Sequence, residues 1–200
     1  MKQEEFRQIL IDGTIRVIAR DGIDKASAKQ IETETGINPV YIYRCFKDKE
    51  DMFAKVFDYL DDELASTMMT HVAAMYIKDL DYRERCRLFY NGIWSFLLSN
   101  REKCLAYVRY YYSPYFMKLS SAQHKKRFAP LVEKFGDAFK AESNIWMILN
   151  HILNVLLDFA VKVHNGQMPA NDDYSEHVFR VIYRSVEQYF KREEVKHHDE

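Results

Sequence analysis

Proline and glycine are scarce in this chain, four and six in 200 residues. They are too few and too scattered to supply the turns of a β-sandwich, which favours long helices. Cysteine is scarcer still. Cys45, Cys86 and Cys104 are odd in number and show neither pairing nor metal-ligand spacing, which excludes a disulfide scaffold and suits a reducing cytosol. An excess of one charge is also missing. The formal net charge is −1, so bulk electrostatics give no attraction to nucleic acid. The first fifty residues are equally balanced, with nine Lys/Arg (2, 7, 16, 20, 25, 29, 44, 47, 49) facing nine Asp/Glu (4, 5, 12, 21, 24, 32, 34, 48, 50). Any role on a polyanion must rest on where the charges sit. There is no basic-then-apolar leader and no uncharged apolar run of about 18 residues, so a soluble, cytoplasmic protein without a membrane role is expected. GxSxG, HExxH, CxxC and a phosphate-cradling glycine loop are all lacking. That argues against an enzyme, and neither a cofactor nor a metal is expected.

What is present is a globular composition, 48% apolar and 30% charged, ample for a buried core. The chain is organised around Ile31–Phe46, IETETGINPVYIYRCF. Ser27 and Gln30 match a capping box that starts a helix at about residue 28, with Ala28, Ile31 and Thr35 inward. Gly36 supplies the left-handed position of a tight turn. Asn38 then caps a second short helix, with Pro39 at its first position, where a missing N–H costs nothing. Ile42 and Phe46 face inward, Val40, Tyr41 and Arg44 face outward, and Tyr43 lies at the flank. A helix of two turns cannot stand alone and must be held by neighbours. This is the logic of a helix-turn-helix, whose second helix enters the DNA major groove.

Ahead of it, Phe6 to Ile18 forms a helical stripe ending at Asp21-Gly22, and Gly13 within it predicts close approach by another helix. Behind it, Asp48 caps a long helix carrying Met52, Phe53, Val56, Phe57, Leu60 and Leu64, with the pattern fading towards Met75. Leu88, Phe89, Gly92, Ile93, Phe96 and Leu97 predict a buried helix ending at Ser99-Asn100. A further helix covers about 101–112. Residues 115–142 read as helical with a kink or break before Pro130. Residues 146–163 are apolar on several faces, hence deeply buried or shared between chains. The last helix, about 174–191, places Val178, Val181, Ile182, Ser185, Val186 and Tyr189 on one side. The charged tail from Lys191 is expected to fray. His197, His198 and Asp199 in it can hold a metal weakly, though a solvated tail is the better reading.

Gly22, Ser27, Ile31, Gly36-Ile37, Tyr43, Phe46, Lys49-Glu50 and Met52-Phe53 stand at the customary spacing of one family. Over its first sixty residues the chain resembles the DNA-binding domain of TetR-type (tetracycline-repressor-like) bacterial regulators. The likeness covers about a third of the chain. It departs from the family at Glu32 and Thr35 (usually alanines), Asn38 (serine), Val40 (glycine) and Cys45 (often histidine). Val40 adds a side chain on the DNA side, so no relative's operator can be carried over.

The expected fold is all-α, with about nine helices: a DNA-binding domain over 1–50 (motif about 27–46), a connecting helix over 51–75, and a ligand-binding and dimerisation domain over 76–200. Arg44 is the best reader of a base edge or phosphate. Tyr41 and Tyr43 can donate to phosphates, while Pro39 and Val40 can touch apolar surface such as a thymine methyl. Asn38, at the head of the same helix, belongs to the DNA-binding set. Lys47 and Lys49 flank the start of the fourth helix, whose dipole favours phosphate, and the resemblance implies Lys49 as a phosphate contact. Ser27 can cap its helix and touch the DNA backbone as well. Cys45 reads as a small packing residue rather than an oxidant sensor.

Trp94, Tyr107, Tyr110, Tyr111, Tyr112, Phe116 and Trp146 either line an apolar pocket or are simply core. Asn150, His151, Asn154 and Asp158 are either polar anchors for a ligand or satisfied groups at a dimer seam. The resemblance implies a homodimer paired through about 144–163 and 174–191, a near-palindromic double-stranded DNA operator, and a small apolar or aromatic effector that releases a repressor. A DNA-binding adaptor governed by a protein partner is the alternative, and a helical carrier or enzyme a remoter one.

Overall fold

The computed structural model describes residues 3–191. The expected weak metal group at His197, His198 and Asp199 and the charged tail beyond Lys191 lie outside the described residues. Among the described residues there are nine α-helices and no strand beyond one isolated bridge. They are α1 (Gln3–Asp21), α2 (Ala28–Thr35), α3 (Val40–Cys45), α4 (Lys49–His71), α5 (Tyr82–Ser99), α6 (Arg101–Tyr111), α7 (Ser121–Gly136), α8 (Ile145–His164) and α9 (Asp172–Val186).

The first three helices pack around Leu10, Ile18, Ile31, Ile37, Ile42 and Phe46, all buried. Gly13 is what lets α2 approach α1, because a Cβ there would run into the Thr35 methyl. That contact accounts for Thr35 in place of the family's alanine: its methyl covers the glycine while its hydroxyl bonds back to Ile31 O at 2.6 Å. The long α4 leaves this head and becomes the central helix of the body. It buries Phe57, Leu60, Leu64 and Met68 against α5, α6 and α7. Two side chains also tie head to body: Arg109 of α6 donates to Ile18 O at 2.7 Å, and Lys118 pairs with Glu50 at 2.7 Å.

Several expectations need correction. The connecting helix ends at His71 and a 3₁₀ turn, Val72–Tyr76, follows. The stretch after α6 is not one helix to 142. A π-helical turn, Phe116–Ser120, precedes α7, which ends at Gly136. Pro130 lies inside α7 without ending it. Proline removes only one hydrogen bond there, and Phe128, Leu131 and Phe135 bury the helix on both sides of it. Leu88 is exposed although its neighbour Phe89 is buried. The final α-helix stops at Val186, and Val181 stands out from the buried face of Val178 and Ile182, 53% exposed.

The helix α8 is apolar and long enough to cross a membrane by length and composition, with a mean hydropathy of 1.4 over its best window. It packs against α5, α6, α7 and α9, burying Leu149, Leu153, Leu156 and Leu157. Its other side, at Met147, His151 and Asp158, is exposed.

Candidate nucleic-acid interface and the aromatic body

The local chemistry of the head forms as read. Ser27 Oγ accepts from Gln30 N–H at 3.3 Å, and Gln30 Oε1 accepts from Ser27 N–H at 3.1 Å. Gly36 takes φ 70° and its N–H donates to Glu32 O at 2.7 Å, closing α2. Asn38 Oδ1 accepts from Val40 N–H at 2.9 Å, and Pro39 already has helical dihedrals, φ −52° and ψ −24°. Asp48 Oδ1 accepts from Asp51 N–H at 2.8 Å, so α4 starts one residue after a firm cap.

With Ile42 and Phe46 buried, α3 has an outward strip of Val40 (55% exposed), Tyr43 (65% exposed) and Arg44. Asn38, Lys47 and Lys49 are exposed beside it. Tyr41 corrects the expected arrangement. It is half-buried, stacked on Phe6 with ring centres 4.7 Å apart, because the first turns of α1 reach across it. Tyr43 rather than Tyr41 is therefore the freely presented phenol. The Arg44 guanidinium sits 5.0 Å over the Tyr41 ring, which steadies its stem while leaving it outside. Lys49 rests 5.0 Å from the Phe53 ring.

Charge is sorted around this strip. Arg16 and Arg20 are taken up by Glu34, at 2.6 and 2.7 Å. The hydrogen bonds from Arg20 and Arg16 hold the Glu34 carboxyl below the usual carboxylate range. Burial raises the Cys45 thiol, as expected of a packing residue.

In the body, Tyr107, Tyr110, Tyr111, Phe116 and Trp146 do come together. Phe57 stacks on Tyr110 at 4.5 Å, Tyr111 meets Phe116 at 4.4 Å, and Trp146 lies 5.8 Å from His124. Trp94 is elsewhere, beside Tyr90 at 5.8 Å. Asn150 and Asn154 accept from the Tyr111 and Tyr112 hydroxyls at 3.4 and 3.3 Å. His151 is exposed and bonds Ser185 of α9 at 2.9 Å. The space bounded by His124, Trp146 and Asn150 is about 10 Å³.

Sequence reasoning missed the centre of this cluster. Asp61 of α4 is wholly buried and accepts from Tyr107 OH (3.0 Å), His124 Nδ1 (2.8 Å) and Arg127 Nη1 (2.5 Å). Burial and the Asp61 charge push the Tyr107 hydroxyl well above its ordinary pKa, so it stays a donor. One signal was available: Asp61 falls one turn after Phe57 on the inward face of an otherwise apolar stripe.

Residues 10–56 match the sequence profile of bacterial regulatory proteins of the tetR family. The chain is 24% identical over 133 residues to the HTH-type transcriptional regulator BetI of Yersinia pestis (strain Pestoides F), covering 64% of this chain and 66%, just under two thirds, of that relative. It is 41% identical over 46 residues to the HTH-type nicotine-responsive transcriptional repressor HdnoR of Paenarthrobacter nicotinovorans, 23% of this chain and 24% of that one. Its fold matches a crystal structure of a TetR family transcription regulator from Marinobacter aquaeolei VT8, with a TM-score of 0.77, 18% identity, and coverage of 96% of this chain and 100% of that one.

Proposed function

Since the chain belongs to the TetR-type family of bacterial transcriptional regulators, we propose that it acts in the cytoplasm as a homodimeric repressor. In this reading it binds a near-palindromic operator and is released by a small molecule. It is a regulator and not an enzyme. The proposed DNA-binding domain is 1–50, the connecting segment 51–75, made of the rest of α4 and most of the 3₁₀ turn after it, and the effector and dimer domain 76–200. The observation that carries the reading is the outward strip of Val40, Tyr43 and Arg44 on a helix locked from behind by Ile42 and Phe46. Arg44 reads base edges, Tyr43 and Lys49 hold phosphates, and Lys47, Asn38 and Ser27 complete the backbone contacts. Pro39 and Val40 touch apolar groove surface, with Tyr41 bracing Arg44.

One such head buries too little surface for selective binding, which is why two copies are needed. The exposed outer faces of α8 and α9, with Met147 54% and Val181 53% exposed, support pairing of these helices with their symmetry mates. An effector then acts by preferring one setting of α4 over another, since equal affinity for both settings would shift nothing. HdnoR is by name a nicotine-responsive repressor, which supports both the sign of control and a small-molecule signal. The scant free space among Trp146, Asn150 and His124 favours a second reading, an adaptor of the same fold answering to a protein partner.

Selection of bound fragments from the source genome tests the proposal. Enriched fragments should share a near-palindrome, and enrichment without any common symmetric sequence would refute it.

A further inference from the structure

After α9 the chain makes a 3₁₀ turn, Glu187–Tyr189, and doubles back as a short strap. Phe190 pairs with Phe139 in an isolated antiparallel bridge. Lys140 N–H donates to Tyr189 O at 2.9 Å, and Lys191 N–H to Ala138 O at 3.1 Å. Two side chains latch the strap from outside: Lys140 Nζ donates to Gln188 O at 2.7 Å, and Lys191 Nζ to Asp137 O at 2.8 Å. With so few bonds, the two side-chain ones exposed, the strap is held mainly by burial of the Phe190 ring.

Beneath the strap lies a cavity of about 30 Å³, walled by Phe89, Phe135, Ile152, Leu156 and Ile182. It holds no more than about one water. The Phe190 ring, 7% exposed, plugs it and stacks between Phe139 at 4.6 Å and Tyr82 at 5.1 Å. Its wall carries no charge at neutral pH, since burial pushes both the Cys86 thiol and the Tyr90 hydroxyl up to about 12. Outside the plug is an open cleft of about 850 Å³ that shares Phe179, Tyr183 and Phe190 with the cavity.

Five cations line the cleft against Asp81 and Glu187. Arg83 and Arg180 lean on Glu176, at 3.8 and 2.9 Å, and Arg184 on Glu187 at 2.9 Å. The ammonium groups of Lys140 and Lys191 are spent on neutral carbonyls, which a carboxylate outcompetes because both partners are then charged.

We propose that this is a binding site for an amphipathic carboxylate. Its apolar body replaces the Phe190 ring, and its carboxylate takes Lys140 and Lys191 from Gln188 O and Asp137 O. The groups that hold the strap shut are thus the ones the ligand claims, and the ring that closes the cavity is the one the ligand displaces. The site lies apart from the aromatic cluster around His124. It gives the chemistry of the effector and so rests on the ligand-released reading above, yet its binding is measured without DNA.

The test is calorimetric titration of the full chain with decanoate, decanol and decyltrimethylammonium. Decanoate should bind one per chain, decanol about tenfold more weakly, and the cation more weakly still. Phe190→Ala should tighten decanoate binding about tenfold, since the fraction of open protein no longer limits it. Lys140→Gln with Lys191→Gln removes the charges and loosens the latch together, so it should erase the preference for decanoate over decanol without weakening decanol. No decanoate binding, equal binding of all three, or a Phe190→Ala protein with unaltered affinity would overturn the assignment. If Phe190→Ala does not fold, the wild-type series and the exposed lysine pair decide. Bound decanoate with unchanged operator affinity would keep this site and refute ligand release instead.

Discussion

The head and the body of this chain are packed by opposite means. The head closes mainly on aliphatic side chains, Leu10, Ile18, Ile31, Ile37 and Ile42, with Phe46 beside them, and leaves its charges at the surface. The body closes on stacked rings around a fully buried carboxylate, Asp61, held by a guanidinium, an imidazole and a phenol. An aliphatic core has one good arrangement and keeps a small presented surface in place. A buried polar cluster stabilises little in net terms, yet it is costly to break and has its full worth only while every partner is present. The difference suits the proposed arrangement, a rigid reader joined to a domain that changes its setting when an effector binds.

The contrast breaks most visibly at Asp61. Asp61→Ala leaves the Tyr107 hydroxyl and His124 Nδ1 without their buried acceptor, while Arg127 keeps Asp58 and Asp62. It should cost about 1–3 kcal/mol for each donor stranded, read as a fall in the denaturation midpoint. Tyr107→Phe in the Asp61→Ala background should add little further loss, since the hydroxyl it removes is already stranded. Losses that simply add in the double variant would show that the cluster is not a unit.

Next comes reading. Arg44→Ala should cost about 1–3 kcal/mol of operator affinity and relax preference at one base position. Adding Lys49→Ala should weaken all sequences alike and flatten the salt dependence in filter-binding titrations. Thermal stability should stay as in the parent.

The head's tightness is tested at Gly13. Gly13→Ala should destabilise by about 1–3 kcal/mol through overpacking, and the penalty should vanish in a Thr35→Ala background, where the obstructing methyl is gone. Additive effects of the two changes would contradict the close approach described here.

The smallest effect belongs to the surface. The Glu34 pKa is depressed by Arg20 and Arg16, so its contribution is present above the ordinary carboxylate pKa and lost as pH falls through the lowered folded value. Glu34→Gln should cost under about 1 kcal/mol at neutral pH, and the two proteins should converge in stability towards acid pH in paired melts.

What was legible follows from the same contrast. Ser27, Gly36, Asn38 and Asp48 act on neighbours within three or four residues, so the head could be read almost to the atom. Even there Tyr41 was misplaced, because its cover, Phe6, comes from a distant part of the chain. In the body the sequence offered Tyr107, Tyr111, Phe116, Trp146 and Trp94 as either pocket or core; the first four gather and Trp94 does not, since which helices meet is not a local property. The centre of the gathering was not legible, because His124 and Arg127 reach Asp61 across more than sixty residues. The π-helical turn at Phe116–Ser120 was missed for a related reason: Ser120 is held by the Tyr110 hydroxyl at 2.9 Å, a partner on another helix.

Footprinting on a selected operator fragment, with the number of bound chains counted by sedimentation, tests the central claim most directly. The account predicts two chains per fragment and two protected major-groove patches whose centres lie about 34 Å or a small multiple apart, both lost in Arg44→Ala with Lys49→Ala. One chain on one unsymmetrical patch, or protection that persists in that variant, would contradict it.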